Sequence, residues 1–479
     1  MKRLVLLVSW LAFAWLCDIG TWAVADQPAA TNVVFIISDD LKASVLGCYG
    51  NPVCETPHID RLAARSMVFD RAYCQGTACA PSRTSLMFSR YFGDRGISMG
   101  ENFIRHGYHS TRVGKIFHMR VPGDIIPGTD GQDVADCWTE RYNMPGLEAH
   151  TPGDYACLNL DIFSTDLENR QSTAMPHRMF VTVSYEGDGS DQPDWKAATK
   201  SIELLQRYSQ QQQPFFLAIG FIRPHYPSVA PVQYFDRYPH EEIELPFVPE
   251  GHLDEIPAAG ISRSNSQQSG IDRFPENQQR MWAAYYATVT FLDDQVGRVL
   301  DEIDRLGLAD TTAIVFTSDH GYHLGEHTFW QKTNLREEVI RVPLMISAPG
   351  LAPGRSDSIV ELMDIYPTLC ALTGIATPPT VQGKNLIPVL RDPTVSVRDA
   401  ALSIVRNGHS LRCPRWAYMR YQDESEELYD MDADPQQFRN LARRDGHETI
   451  LQDFRQRLQA ILADASPPAP KKAKPKGQP

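Results

Sequence analysis

The stretch 32–38 (NVVFIIS) is almost continuous in apolar, β-branched residues, and it stops abruptly at Asp39-Asp40. A run of that length without alternation reads as a strand buried on both faces, as in the middle of a parallel sheet whose C-terminal edge opens onto a polar crevice. The same texture recurs at 215–221, 312–317 and 342–347. From Gln279 to Leu306 the period changes. Trp282, Tyr285, Tyr286, Val289, Leu292, Val296, Val299 and Ile303 follow the i, i+3, i+4, i+7 rhythm of a helix with one buried face. A second helix is expected over 362–374. Strands alternating with helices predict an α/β fold, with a large, mostly parallel central sheet covered by helices on both sides.

Beyond residue 374 the texture shortens. Pro378-Pro379 and Gly383 break the pattern, and short alternating segments follow near 400–405 and 416–421. They predict a small C-terminal α+β subdomain over 391–465, after a main domain over 26–390. The stretch 257–278, rich in Ser, Gln and Asn, reads as a surface loop, and 466–479 (SPPAPKKAKPKGQP) as a disordered basic tail. No repeat of solenoid period is present.

Composition changes this picture little: 42% of the 479 residues are apolar and 22% charged, which suffices for a large core. Charge narrows the partners. With 46 Lys+Arg against 59 Asp+Glu the net charge is −13, and no basic stripe tracks a phosphate backbone, so nucleic acid is excluded as a partner. Met1-Lys2-Arg3, an apolar run from Leu4 to Leu16 and Ala23-Val24-Ala25 form an export signal over 1–25, with the mature chain starting at Asp26. No later segment is apolar enough to span a membrane, so no span is expected after signal cleavage. No Asn-x-Ser/Thr sequon occurs, which suits a secreted or periplasmic bacterial protein. Export permits disulfides. Of the eight cysteines beyond the signal, Cys137 and Cys157 flank a polar, Pro/Gly-rich stretch and are expected to pair.

Three short patterns carry chemistry. Asp39-Asp40 at a strand's end offers carboxylates to a hard cation, although the pair alone reads equally well as a cap or a solvated turn. Ser318-Asp319-His320-Gly321 follows the strand 312–317, and in an open α/β sheet two such ends converge on one crevice. Cys79-Ala80-Pro81-Ser82-Arg83 precedes a helix through Leu86 and Met87. A lone cysteine there is more often a small buried hydrophobe than a reactive group.

In this order and context, Cys-x-Pro-Ser-Arg resembles the signature of the type I, formylglycine-dependent sulfatases. Patches such as VGKIFH (113–118), FIRPHYP (221–227), SDHGYHLGEHTFWQK (318–332) and ELYDMDADPQQFRNL (427–441) most resemble the iduronate 2-sulfatase branch of that family. The resemblance implies an alkaline-phosphatase-like α/β domain and conversion of Cys79 to formylglycine by a formylglycine-generating enzyme. It implies Ca²⁺ held by Asp39, Asp40, Asp319, His320 and the modified Cys79. It also implies that Arg83 holds the modified residue, that Lys115 and Lys332 contact sulfate, that His118 collapses the intermediate and that His225 stands near the departing oxygen. Hydration of the aldehyde gives a diol, one oxygen of which attacks sulfur while the other later expels sulfate. The expected substrate is a sulfated carbohydrate, with the 2-O-sulfate of iduronate or another uronate in view. Two alternatives remain: phosphonate monoester or phosphodiester hydrolysis on the same scaffold, and non-catalytic binding of sulfated glycan. After Arg83 the chain departs from the family's usual Leu-Thr-Gly-Arg, reading Leu86-Met87-Phe88-Ser89-Arg90.

Overall fold

The computed structural model describes residues 30–93, 96–168, 170 and 180–465. The expected export signal (1–25) and basic tail (466–479) lie outside the described residues. Among the described residues no helix is long and apolar enough to cross a membrane.

A nine-stranded mixed sheet organises the molecule. Its strands in chain order are β1 (Asn32–Asp39), β2 (Met67–Tyr73), β3 (His109–Gly114), β4 (Glu140–Tyr142), β5 (Phe215–Pro224), β6 (Thr312–Ser318), β7 (Arg341–Val342), β8 (Leu344–Ser347) and β9 (Gly354–Glu361). The central part runs β8-β6-β1-β5-β3-β4, and every pair from β6 to β4 is parallel. β8 is antiparallel to β6, and β2 takes β7 and β8 antiparallel and β9 parallel. The expected α/β class and the mostly parallel sheet are therefore what the chain forms.

The unbroken apolar run of β1 has its reason in the layers. Val34 and Ile36 enter one buried core, and Val33, Phe35 and Ile37 enter another on the opposite face. Each fully buried side chain of this size contributes ~1.5–3 kcal/mol relative to exposure. The first core is closed by α2 (Pro193–Tyr208) and α3 (Pro275–Arg305), the second by α1 (Cys79–Phe88) and α4 (Ile365–Thr373).

Four antiparallel strands, β10 (Ala401–Val405), β11 (Gly408–Arg412), β12 (Trp416–Tyr421) and β13 (Glu426–Asp430), form a C-terminal sheet. α5 (Glu448–Ala465) covers it through Leu451, Phe454 and Leu458. This sheet is tied to the main body near the start of α1, where Ile404 N donates to Gln75 O at 2.8 Å. Arg336, in the loop that carries Lys332, forms a buried ion pair with Glu427 of β13.

Three expectations need correction. The run 342–347 is two strands rather than one, because Pro343 has no N–H to give the ladder and its carbonyl instead accepts from Thr317 Oγ1 at 2.8 Å. The polar stretch 257–278 is not all loop: it contains a helical turn, Ser266–Ser269, and α3 starts at Pro275, whose fixed φ suits a first helical position. Finally, no disulfide joins Cys137 and Cys157. Cys137 lies 2.7 Å from Ser98 Oγ within the core under α1, whereas Cys157 belongs to a separate small core around the sheet formed by 154–157, 162–164, 181–185 and 228–231.

Candidate active site

Strand register brings the chemistry together. β1 and β6 pair in parallel with Ser38 opposite Ser318, so Asp39-Asp40 and Asp319-His320 leave the sheet side by side. An irregularity in the β1–β5 ladder puts Asp39 opposite Pro224, and His225 follows. Asp194, at the start of α2, accepts the Ile222 and Arg223 N–H groups at 2.8 Å each and fixes that bend. β3 ends with Gly114 opposite Gly220, where Lys115 N donates to Gly220 O at 2.9 Å. Any Cβ on Gly220 would stand 2.0 Å from the Lys115 carbonyl oxygen, so this close passage requires glycine. Cys79 occupies the first turn of α1, at the positive end of the helix dipole.

The floor is a balanced set of buried charges. Arg83 Nε donates to Asp319 Oδ2 at 2.8 Å, and its Nη2 lies 3.3 Å from Asp39 Oδ1. Lys115 Nζ donates to Asp39 Oδ2. Lys332 Nζ donates to Asp40 Oδ1 at 2.5 Å and lies 3.1 Å from Cys79 Sγ. His320 Nδ1 meets the Gly321 carbonyl at 2.9 Å, and because a carbonyl only accepts, that nitrogen carries the proton. Its Nε2 faces Cys79 Sγ and Asp40 Oδ1, each at 3.4 Å.

Burial alone would raise Asp39, but Lys115, His225, Arg83 and Lys332 outweigh it and hold the carboxyl well below its ordinary range. Asp40 stays above that range, since burial together with Asp39 and Asp319 prevails over Lys332 and His320. Asp40 also sits at φ 65°, a left-handed conformation uncommon for a residue with a side chain. Tyr285 of α3 holds it there, donating to Asp40 O at 2.6 Å while accepting from Lys42 N at 3.1 Å.

Two features of this floor suit a hard divalent cation. Asp39 Oδ1 and Asp40 Oδ2 are buried without a hydrogen-bond donor among the described residues, and one ligand atom from each of Asp39, Asp40, Cys79 and His320 lies within 4.8 Å of all the others. Asp319 is more heavily engaged: Oδ1 accepts from the Asp40 and His320 N–H groups at 3.1 and 2.9 Å, and Oδ2 from Arg83.

Above the floor a cavity of about 710 Å³ is lined by Cys79, His118, His225 and Lys332, with Arg120, His150, Arg170 and Tyr226 on its walls. Burial, then Lys332, push His225 well below its ordinary pKa, and its Nδ1 donates to Tyr226 O at 2.5 Å. The ring is therefore neutral, with Nε2 available. Burial and then Lys115 bring His118 down to about 4. Burial and Asp39 push the Cys79 thiol up, so it is not a thiolate. A larger concavity, about 950 Å³, lies elsewhere, between the small sheet and α3, and contains none of these residues.

All ten residues singled out in the sequence, Asp39, Asp40, Cys79, Arg83, Lys115, His118, His225, Asp319, His320 and Lys332, lie at this crevice. Sequence reasoning misses Arg120, His150 and Arg170 on the cavity wall, and it shows Tyr285 only as a core residue. None of these stands in a motif: Arg120 follows VGKIFH by two residues, and His150, Arg170 and Tyr285 come from distant segments of the chain.

The chain matches the family model described as Sulfatase over residues 31–375, and the model described as N-sulphoglucosamine sulphohydrolase, C-terminal, over 325–464. It is 30% identical over 449 residues to a sulfatase of Formosa agariphila, covering 87% of this chain and 83% of that one. It is 32% identical over 426 residues to the iduronate 2-sulfatase of Homo sapiens, covering 76% and 74%. Its fold resembles that of the phosphonate monoester hydrolase of Agrobacterium radiobacter, with a TM-score of 0.72, 20% identity and coverage of 91% and 96%.

Proposed function

Because this chain belongs to the sulfatase family and is a sulfuric ester hydrolase, we propose that it is an exported, calcium-dependent enzyme acting on sulfated carbohydrate, with the 2-O-sulfate of a uronate as its favoured ester. The observation that carries the reading is the position of Cys79 beside Lys332 and His320, in one cluster with Asp39 and Asp40, each of which keeps one oxygen without a hydrogen-bond donor among the described residues. Similarity to iduronate 2-sulfatase, and a cavity wall without a carboxylate, support an acidic sugar.

In this reading Cys79 Sγ marks the place of the formylglycine oxygen. Formylglycine made from Cys79 by a formylglycine-generating enzyme supplies a hydrated aldehyde as oxygen nucleophile, and Ca²⁺ held by Asp39, Asp40, Asp319, His320 and residue 79 supplies Lewis-acid charge. The remaining work belongs to the side chains. Lys115, fully buried, and Lys332, mostly buried, offset the sulfate's negative charge. Arg83 locks Asp319 and the turn after β3 against α1. His118, neutral above about pH 4, is the base. His225 meets the departing sugar oxygen only through Nε2, since Nδ1 is engaged by Tyr226. An anionic sulfate offsets the Lys332 repulsion and raises the proton affinity of that nitrogen, which is the condition for protonating the leaving oxygen.

The test uses protein produced with a formylglycine-generating enzyme and checked by peptide mass spectrometry at Cys79. kcat/KM is compared across 2-O-sulfated uronate disaccharides, 6-O-sulfated hexosamines and neutral galactose sulfates, with an aryl phosphodiester as control. The uronate should be turned over best. Equal or better turnover of neutral sugars would refute the uronate assignment, and full activity with an intact Cys79 thiol would refute the chemistry.

A further inference from the structure

The wall of the active-site cavity carries three cations, Lys332, Arg120 and Arg170, three histidines, His118, His150 and His225, and no carboxylate, in a protein of net charge −13. Two of the cations already have acidic partners. Lys332 is bonded to Asp40, and Arg120 folds onto Asp124 through Nε at 3.0 Å and Nη2 at 2.9 Å. Arg170 is held differently. Its Nε donates to Asp166 O at 2.5 Å, Nη1 to Thr151 O at 2.7 Å and Nη2 to Gly153 O at 2.5 Å. It makes no ion pair among the described residues, and it is only 4% exposed. Carbonyl dipoles satisfy a guanidinium's hydrogen bonds and fix its place, but they leave its net charge uncancelled, and away from bulk water that charge acts over several ångströms.

We propose that Arg170 is a specificity-determining residue: a fixed positive charge that reads a second anionic group on the sugar, apart from the ester being cleaved. The inference rests on the carbohydrate substrate proposed above. The sulfate under attack is met at the Cys79 end by Lys115 and Lys332. Arg170 approaches from another part of the chain, the segment beside the small sheet, where its guanidinium also lies 5.5 Å from the Tyr155 ring centre. The chemistry it fits is a carboxylate or further sulfate on the same sugar or its neighbour.

The experiment measures kcat and KM for the parent, Arg170→Met and Arg170→Lys on three substrates: a 2-O-sulfated uronate disaccharide, its carboxyl-reduced analogue and an aryl sulfate. Melting curves confirm that each variant is folded. Arg170→Met should lose about tenfold in kcat/KM on the uronate disaccharide, mainly through KM. It should change by about twofold or less on the other two substrates, and its deficit should shrink as salt is raised. Arg170→Lys should recover most of the loss, because it keeps the charge while losing the carbonyl fork. A disulfated disaccharide lacking a carboxylate, run alongside, tells a carboxylate reader from a reader of any second anion. Equal losses of both variants on all substrates would overturn the inference in favour of a purely structural role. A uronate kcat/KM insensitive to Arg170→Met would overturn it too, while leaving the substrate reading intact. A parent that prefers the carboxyl-reduced analogue would overturn both.

Discussion

Among the buried carboxylate clusters of the described residues, two are completed in opposite ways. Glu361 and Asp364, at the end of β9, share Arg398, and all four of their oxygens have donors. Glu361 Oε2 accepts from Arg398 and from Tyr91 Oη at 2.8 Å, and Oε1 from Leu402 N at 2.7 Å. Asp364 Oδ1 accepts from Arg398 and from Lys384 N at 2.6 Å, and Oδ2 from Glu361 N at 2.8 Å. Asp39 and Asp40, at the end of β1, are surrounded by Lys115, Lys332 and Arg83, yet one oxygen of each lacks a hydrogen-bond donor among the described residues. Buried polar groups are normally saturated, and an exception calls for an explanation. The first cluster is a weld between the main sheet and the C-terminal sheet. The second balances its charge with cations while one oxygen of each carboxylate keeps no hydrogen-bond donor among the described residues, which is what a site awaiting an outside ligand needs.

The comparison is easiest to break with substitutions that keep shape. Asp40→Asn retains an oxygen for Lys332 but withdraws a charge from the open cluster. It should reduce kcat at least about a thousandfold, read on an aryl sulfate, while the folded state persists by circular dichroism. Activity within tenfold of the parent would mean that the open oxygens have no catalytic purpose.

Arg398→Met does the converse. It strands two buried acids and should cost about 3–5 kcal/mol in a denaturant titration, with kcat of the folded fraction within about twofold of the parent. A loss of activity without loss of stability would show that the two clusters are not separable.

Removal of divalent cation by chelator should lower Tm, and Ca²⁺ at a hundred times its Kd should restore about 2.7 kcal/mol of stability. That stabilisation should vanish in Asp40→Asn and survive in Arg398→Met. Identical Ca²⁺ shifts in both would place the cation outside the open cluster.

The smallest effect concerns His118. Its folded pKa of about 4 lies below its ordinary 6.5, so the neutral ring is favoured by folding. The associated stability is present above 6.5 and is lost as pH falls toward 4. His118→Gln should therefore flatten the decline of Tm between these values, and an unchanged slope would assign the decline to other groups.

Much of the site is legible in the chain's local pattern. Asp39-Asp40 and Asp319-His320 are conspicuous because each ends an unbroken apolar run, and parallel strands in register bring such ends together. The helix through Leu86 and Met87 and the strands 401–405 and 416–421 follow from local pattern as well, although the helix already begins at Cys79 and takes in the segment 79–83 expected to precede it. The expected Cys137–Cys157 pairing is not formed, because spacing along the chain does not reveal that two cysteines are packed into different cores. Pro343 splits a strand that hydrophobicity alone leaves whole, since a missing N–H is invisible to an apolar count.

The sequence by itself determined the α/β layering, the crevice edge and the chemical character of its floor, because burial on two faces and motif order are written locally. Only the tertiary structure decided which carboxylate oxygens stay open, that Tyr285 pins Asp40 at φ 65°, and that Arg170 keeps its charge while Arg120 is paired with Asp124. Those properties depend on which donors and charges arrive from distant parts of the chain, and hydrogen-bond saturation and desolvation exist only once those neighbours are in place.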